Sequence, residues 1–238
     1  MTSQFPKAIL FDLDDTILSY AKMAEVVWAS VCDRFAPRDQ GVNPDDLLNA
    51  IREHRDWFWS DPVRHKRGRL NPHVASNEIL QKAFDQLGAD VPSSLVSEIA
   101  ETYRVEREEA ASPFPGAIDT LVQIRKSGVR LALITNGGSE GQRYKIDRFG
   151  IAPLFDYILV EGEFGVGKPD EKVYFHALDQ LGAKPTEAWM VGDNLEWEIA
   201  APQKLGIRGI WVDWAGNGLP ESTTVRPDRI VRAISELL

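Results

Sequence analysis

At 238 residues, 43% hydrophobic and 26% charged, the chain has the balance of a globular protein, large enough for one big domain or a core with a smaller companion. Its formal charge of −9 argues against nucleic acid or an anionic membrane as partner, and no apolar run approaches membrane-spanning length. Cys32 is the single cysteine, which rules out an intrachain disulfide and speaks against a thiolate metal cluster. His54, His65, His73 and His176 show no zinc spacing, and with no apolar signal region at the N-terminus a cytoplasmic compartment is expected.

In chain order, Lys7-Ala8-Ile9-Leu10-Phe11 is a short apolar run that predicts a strand buried on both faces. It stops abruptly at Asp12, Asp14 and Asp15. In an extended conformation Asp12 and Asp14 point the same way, so their carboxylates repel and favour a cation between them. Oxygen-only ligands suit a hard ion such as Mg²⁺. After Thr16 the apolar period becomes helical. A first helix runs from about Met23 to near Pro37. Asn43-Pro44 caps a second, which carries Leu47, Leu48, Ile51 and Phe58. Asn71-Pro72 opens a third, closed by Gly88, and Pro92 opens a fourth with Val96, Ile99 and Tyr103. No strand is expected between residues 20 and 110, so this segment reads as an inserted four-helix unit.

From Ser112 the rhythm alternates. Helices are predicted at 117–126, from about 139 to 149, and at 170–181, with strands at 129–134, 157–160, 188–191 and 209–212. The tail from Pro227 to Leu238 predicts a last amphipathic helix. Repeated strand–helix alternation means an α/β fold, a parallel sheet with helices on both faces. Asp12, Thr135 and Asp193 each sit where a buried strand stops, and Lys168 follows a further strand. In a parallel sheet all those carboxyl ends face one crevice. A carboxylate pair, a hydroxyl, a lysine and a further carboxylate are the parts needed for Mg²⁺-assisted phosphoryl transfer through an aspartyl phosphate.

The four segments Asp12-Leu13-Asp14-Asp15-Thr16, Ile134-Thr135-Asn136-Gly137, Gly167-Lys168-Pro169 and Val191-Gly192-Asp193-Asn194 resemble, in order, the motifs of the haloacid dehalogenase-like superfamily. The resemblance covers almost the whole chain. It implies a Rossmann-like core over 1–18 and 112–238, with a mobile helical cap over 19–111. It also implies that Asp12 is the nucleophile and that Asp14 is the general acid/base. Thr135 and the backbone N–H of Asn136 would hold phosphate oxygens, and Lys168 would offset charge on nucleophile and phosphate. Asp12, Asp193 and the backbone carbonyl of Asp14 would ligate Mg²⁺. Asp14 favours phosphatase over 2-haloacid dehalogenase chemistry, because an alkoxide leaving group needs a proton and a halide does not. A phosphomutase on the same residues, and a non-enzymatic phospho-aspartate switch, are the other readings. The expected partner is a small phosphorylated metabolite; the sequence leaves its identity and the oligomeric state open.

Several segments depart from the pattern or fall outside it. The family's usual second aspartate after the Gly-Asp motif is here Glu198, with Glu196 as a nearby rival. Pro202 has no N–H for the carbonyl of residue 198, which predicts a helix starting close to Glu198 and a loop over 193–197, the alternative being a longer, kinked helix. Gly162-Glu163-Phe164-Gly165-Val166-Gly167-Lys168 approaches a nucleotide-binding phosphate loop, but Pro169 replaces the hydroxyl residue such a loop needs. Its glycines are expected to serve turn geometry. Arg64-His65-Lys66-Arg67-Gly68-Arg69 reads either as a solvated loop or as a lid loop in which Arg64, Arg67 or Arg69 grips an anionic part of the substrate. Asp213 is expected to do no more than end a strand, and His176 to be structural.

Overall fold

The computed structural model describes residues 5–238. Strand β1, Ala8–Phe11, is buried along its whole length, as its uninterrupted apolar run predicts. Beyond it the chain reverses through Asp15, whose φ of 60° lies in the left-handed region, and Asp15 N–H donates to Leu18 O at 2.6 Å. The two-residue strand β2, Leu18–Ser19, follows. The chain divides into two compact units, one from the N-terminus to Ser19 together with Ser112–Leu238, the other Tyr20–Ala111.

The inserted unit holds five helices, α1 (Ala21–Phe35), α2 (Pro44–Ser60), α3 (Pro62–Leu70), α4 (Pro72–Leu87) and α5 (Ser93–Ala110). Three of them start alike. Asn43, Asp61 and Asn71 each accept a backbone N–H three residues on through their side chains, and proline follows each cap. Trp28, Val31, Leu47, Ile51, Phe58, Ile79, Phe84 and Ile99 form the unit's own apolar core. Trp28 and Tyr103 stack with ring centroids 3.8 Å apart. The expected four helices thus become five, because the basic run 64–69 is a helix and not a loop. Only Gly68 of α3 is buried. A helix with no apolar stripe gives no period to read, and the cap-and-proline pair Asp61-Pro62 was its one signal.

In the core, β3 (Ser112–Pro113) pairs antiparallel with β2, closing the two chain crossings around the insertion. Then come α6 (Ala117–Lys126), β4 (Arg130–Thr135), α7 (Ser139–Arg148), β5 (Tyr157–Val160), α8 (Glu161–Phe164), α9 (Glu171–Leu181), β6 (Ala188–Gly192), α10 (Ala201–Lys204), β7 (Arg208–Val212) and β8 (Arg229–Val231). Six strands form one parallel sheet in the order β5-β4-β1-β6-β7-β8. Alternation along β1 splits its side chains between two cores. Ile9 and Phe11 pack with Leu121 and Ile124 of α6, and Ala8 and Leu10 with Val173, Tyr174 and Leu178 of α9.

The tail does not form the predicted helix. β8 pairs with β7, and a short 3₁₀ turn, Ile234–Leu237, follows. Val231, Ile234 and Leu237 are its buried residues, and a strand end followed by a tight turn spaces them by three, as a helix face would. Asp213 also does more than end a strand. Its carboxylate accepts the N–H groups of Gly216, Asn217 and Gly218 and so shapes the loop after β7. Among the described residues no helix is long and apolar enough to cross a membrane.

Candidate active site

Asp12 follows the last residue of β1, Thr135 ends β4, and Asp193 follows β6. The parallel order puts β4, β1 and β6 side by side, so these three residues share one edge of the sheet. Lys168, in the loop between α8 and α9, reaches the same edge. Its ammonium is buried and donates to Asp12 Oδ1 at 2.5 Å and Glu198 Oε1 at 2.7 Å. Burial works against this charge, but Asp12 and Glu198 outweigh it and hold the Lys168 pKa above the usual lysine range.

Asn136 fixes the lysine's backbone from both sides. Its Nδ2 donates to Lys168 O and its Oδ1 accepts the Lys168 N–H, both at 2.8 Å. The amide side chain is therefore spent on the Lys168 loop, and only the backbone N–H of Asn136 is open to the role expected for it. Gly167 makes this approach feasible, since a Cβ there would sit 2.5 Å from both Asn136 Oδ1 and Glu161 Cδ. Of the three glycines expected to serve turn geometry, only Gly165 adopts a positive φ, 88°.

Glu198, not Glu196, completes the site. Glu196 is exposed, whereas Glu198 is buried against Lys168, and its second oxygen accepts the Asn194 N–H at 2.7 Å. The loop expected over 193–197 is instead mostly helical. Leu195–Ala200 forms a wide π turn running into α10, capped by Asn194 Oδ1, which accepts from Glu196 N–H and Trp197 N–H. Pro202 offers no N–H to the carbonyl of residue 198, and the chain widens ahead of it rather than stopping. The turn carries Glu198 back onto Gly192. A Cβ at Gly192 would lie 2.1 Å from Glu198 Oε2, so only glycine fits there.

The carboxylates of Asp12, Asp193 and Glu198 can each place an oxygen within 4.8 Å of the others. Both Glu198 oxygens already have donors, so Glu198 serves chiefly as the anchor of Lys168. Asp12 keeps one oxygen beyond the one that Lys168 takes. Asp193 is half-buried and its pKa is pushed up to about 9, first by burial and then by the charges of Glu198 and Asp12. Burial and Glu198 likewise raise Asp12 to about 7, against the pull of Lys168. With Asp12 and Asp193 both held well above the usual carboxylate range, this all-oxygen set fits a hard divalent cation, as Mg²⁺ is.

The carboxylate of Asp14 stands apart from that cluster, against the expectation of one cation shared between Asp12 and Asp14. Lys145 Nζ donates to its two oxygens at 2.6 and 2.5 Å, and Gln142 Nε2 donates to Oδ2 at 3.1 Å. Each aspartate thus has its own ammonium, and neither Lys145 nor Gln142 was among the residues expected at the site. Both are buried polar residues of α7, and Gln142 also donates to Asn136 O at 2.5 Å.

Arg64, Arg67 and Arg69 lie on α3 in the inserted unit. Arg64 stacks over Trp57, 4.0 Å from the ring centroid, and donates to Trp57 O. Arg67 pairs with Glu78, and Arg69 lies 3.2 Å from His65 Nδ1. All three have partners within their own unit. His176 meets Tyr157 OH at 2.9 Å, a structural contact.

A parallel sheet with this acidic edge, split by a helical insertion after β1, defines a class of phosphoryl- and halide-cleaving hydrolases. The chain belongs to it: residues 6–206 match the haloacid dehalogenase-like hydrolase family. It is 33% identical over 248 residues to the phosphoserine phosphatase of Thermus thermophilus, covering 97% of each chain. It is 36% identical over 253 residues to the N-acylneuraminate-9-phosphatase of Rattus norvegicus, covering 97% of this chain and 92% of that one. A glyceraldehyde 3-phosphate phosphatase of Methanopyrus kandleri is 28% identical, with 97% and 98% covered. Among solved structures, the HAD-hydrolase YfnB from Bacillus subtilis, bound to magnesium, superposes with a TM-score of 0.73 at 22% identity, covering 98% and 97%.

Proposed function

We propose that this chain is a Mg²⁺-dependent phosphatase that hydrolyses a small phosphomonoester through an aspartyl phosphate on Asp12. The observation that carries the reading is the division of labour between the two aspartates. Asp12 is buried, with Lys168 on one oxygen, and Asp14, two residues on, is held separately by Lys145. A nucleophile and a proton carrier, each with its own positive neighbour, are what an ester with a poor leaving group requires and a haloacid does not. Relatives that span nearly the whole chain at 28–36% identity carry the names of phosphatases of small metabolites, which supports the same substrate class.

Asp12 attacks phosphorus in line as Asp14 gives its proton to the leaving oxygen. Asp14 then takes a proton from the water that cleaves the acyl phosphate, and Asp12 is regenerated. Thr135 Oγ1 and the Asn136 N–H would donate to phosphoryl oxygens, and Lys168 would keep the nucleophile and the phosphoryl group from repelling each other. Asp12 and Asp193 would hold the Mg²⁺ ion, which when bound supplies positive charge against the phosphoryl oxygens. The inserted helical unit would act as a cap that selects the organic part of the ester, and the cytoplasm would be the working compartment.

The test is phosphate release from a panel of phosphorylated metabolites, with wild type and Asp12→Asn compared. Wild type should turn over at least one small ester, lose activity to a chelator and regain it with Mg²⁺. Acid-quenched wild type should carry a phosphoryl group on Asp12. Turnover by Asp12→Asn equal to wild type, or full activity after exhaustive chelation, overturns the reading.

A further inference from the structure

Lys145 is a lysine with 3% of its surface exposed, on a helix whose inward face would ordinarily be apolar. Burying an ammonium is costly unless a paired charge and hydrogen bonds compensate it. Here Asp14 supplies a paired charge, with both of its oxygens within 2.6 Å of Nζ. Gln142, one turn earlier on α7, presents its amide nitrogen to Asp14 Oδ2 and to Asn136 O, both of them acceptors, which fixes the orientation of that amide. Asn136 in turn grips the backbone of Lys168. A chain of hydrogen bonds therefore runs from the acid that follows β1, through α7, to the loop that aims Lys168 at Asp12.

We infer that Lys145 and Gln142 are positioning residues for the reaction, holding Asp14 in the one orientation from which it can exchange a proton at the scissile oxygen. The inference rests on the assignment of Asp14 as general acid/base. In the first half-reaction the bond from Asp12 oxygen to phosphorus forms, and the phosphorus–leaving oxygen bond breaks with its electron pair on that oxygen. The proton it needs comes from Asp14, which becomes a carboxylate facing Lys145 and Gln142. In the second half-reaction water oxygen bonds to phosphorus, its proton passes to Asp14, and the bond to Asp12 breaks. Both halves demand that Asp14 keep its place while its charge changes. Two donors from a rigid helix impose that, whereas an aspartate on the turn after β1 would otherwise sample several rotamers.

The experiment compares kcat/KM for an alkyl phosphate, whose leaving group needs a proton, with that for 4-nitrophenyl phosphate, whose leaving group does not. Lys145→Met should lower the alkyl value by ~10²-fold, the scale of losing alignment of a general acid, with the fall in kcat and not in KM. The aryl value should change by less than about 3-fold, well within what binding and nucleophilic attack alone sustain. Because the lysine acts through Asp14, adding Lys145→Met to Asp14→Asn should cost almost nothing more. Equal losses on both substrates, or losses that multiply with those of Asp14→Asn, would overturn the inference and leave Lys145 as a structural ion pair. If Lys145→Met does not fold, Gln142→Met carries the same comparison. Because Gln142 also holds Asn136 O, both esters should lose some activity. The alkyl loss should exceed the aryl loss by about 10-fold, the scale of one hydrogen bond to a charged group, and equal losses would again overturn the inference. An Asp14→Asn variant as active as wild type on the alkyl ester would instead remove the acid/base reading itself, so the two failures are distinguishable.

Discussion

Replacing Asp193 by asparagine should make the metal-free protein more stable, not less. In the unfolded chain an aspartate ionises near pH 3.9, whereas in the fold Asp193 is pushed up to about 9 by burial and by Glu198 and Asp12. Between those values the native state holds a proton that the unfolded state has released, so stability falls as pH rises through that window. At pH 7 about three pH units separate the two states, which at 1.36 kcal/mol per unit is about 4 kcal/mol as an upper limit. Asp193 is half-buried, and solvent screening reduces this to roughly 2–4 kcal/mol. Asparagine has nearly the same shape and no charge to ionise, so it avoids the penalty. With ~2–4 °C per kcal/mol for a chain of this size, Asp193→Asn should raise Tm by roughly 5–15 °C at pH 8 in chelator and by little near pH 4. Mg²⁺ should raise Tm of the wild type at pH 8 and leave that of the variant almost unmoved. Thermal melts at pH 4.5 and pH 8, with and without Mg²⁺, test this. A variant no more stable than wild type at pH 8 in chelator would refute the idea that Asp193 is a carboxylate awaiting a cation.

Lys168→Met leaves Asp12 and Glu198 facing each other in a buried site and should cost ~3–5 kcal/mol in urea denaturation; adding Glu198→Gln should recover part of it. Gly192→Ala puts a Cβ 2.1 Å from Glu198 Oε2, and overpacking there should cost ~1–3 kcal/mol and loosen the hold on Lys168, read as lowered Tm together with lowered kcat. Phe58→Ala empties a fully buried site in the inserted unit and should cost ~3–5 kcal/mol, seen as an earlier unfolding transition. Arg67→Ala breaks an ion pair with substantial exposure on both sides and should change stability by no more than ~1 kcal/mol.

The parts of the fold that were legible in the sequence are those where one interaction dominates. An apolar run that stops at an aspartate or threonine marks a buried strand meeting the crevice, and three of the four motif segments lie at strand ends of that kind, at Asp12, Thr135 and Asp193. Asn43-Pro44 and Asn71-Pro72 announced helix starts because cap and proline act locally. Asp61-Pro62 gave the same signal and was masked by the charge density of the residues after it, which suggested solvated loop. The tail misled for the opposite reason. Val231, Ile234 and Leu237 have the spacing of a helix face, but pairing of Arg229–Val231 with β7 decides the structure there, and that pairing is invisible to a local pattern. The widened turn at Leu195–Ala200 depends on where Glu198 must lie against Lys168, again a contact remote in sequence.

Lys145 and Gln142 show why part of the site escaped the sequence and what would have revealed it. Motif reasoning looks at strand ends, and these two sit within α7. The buried residues of that helix are Gln142, Lys145 and Ile146, an i, i+3, i+4 set with the spacing of a core face and only one apolar member. A core-facing stripe that is mostly polar must have a partner, because desolvating an amide and an ammonium without one would cost more than the helix gains from packing. The nearest acid on a neighbouring strand end is then the natural candidate. That argument changes the electrostatic picture of the site. Asp12 and Asp14, two residues apart, appeared to need one cation between them. With Lys168 committed to Asp12 and Glu198, and Lys145 to Asp14, the carboxylate left without an ammonium is Asp193. The demand for a metal from side chains therefore lies on the β6 side of Asp12. The Asp14 carboxylate is held instead by Lys145 and Gln142, which leaves only its backbone carbonyl for the ligand role expected of that residue.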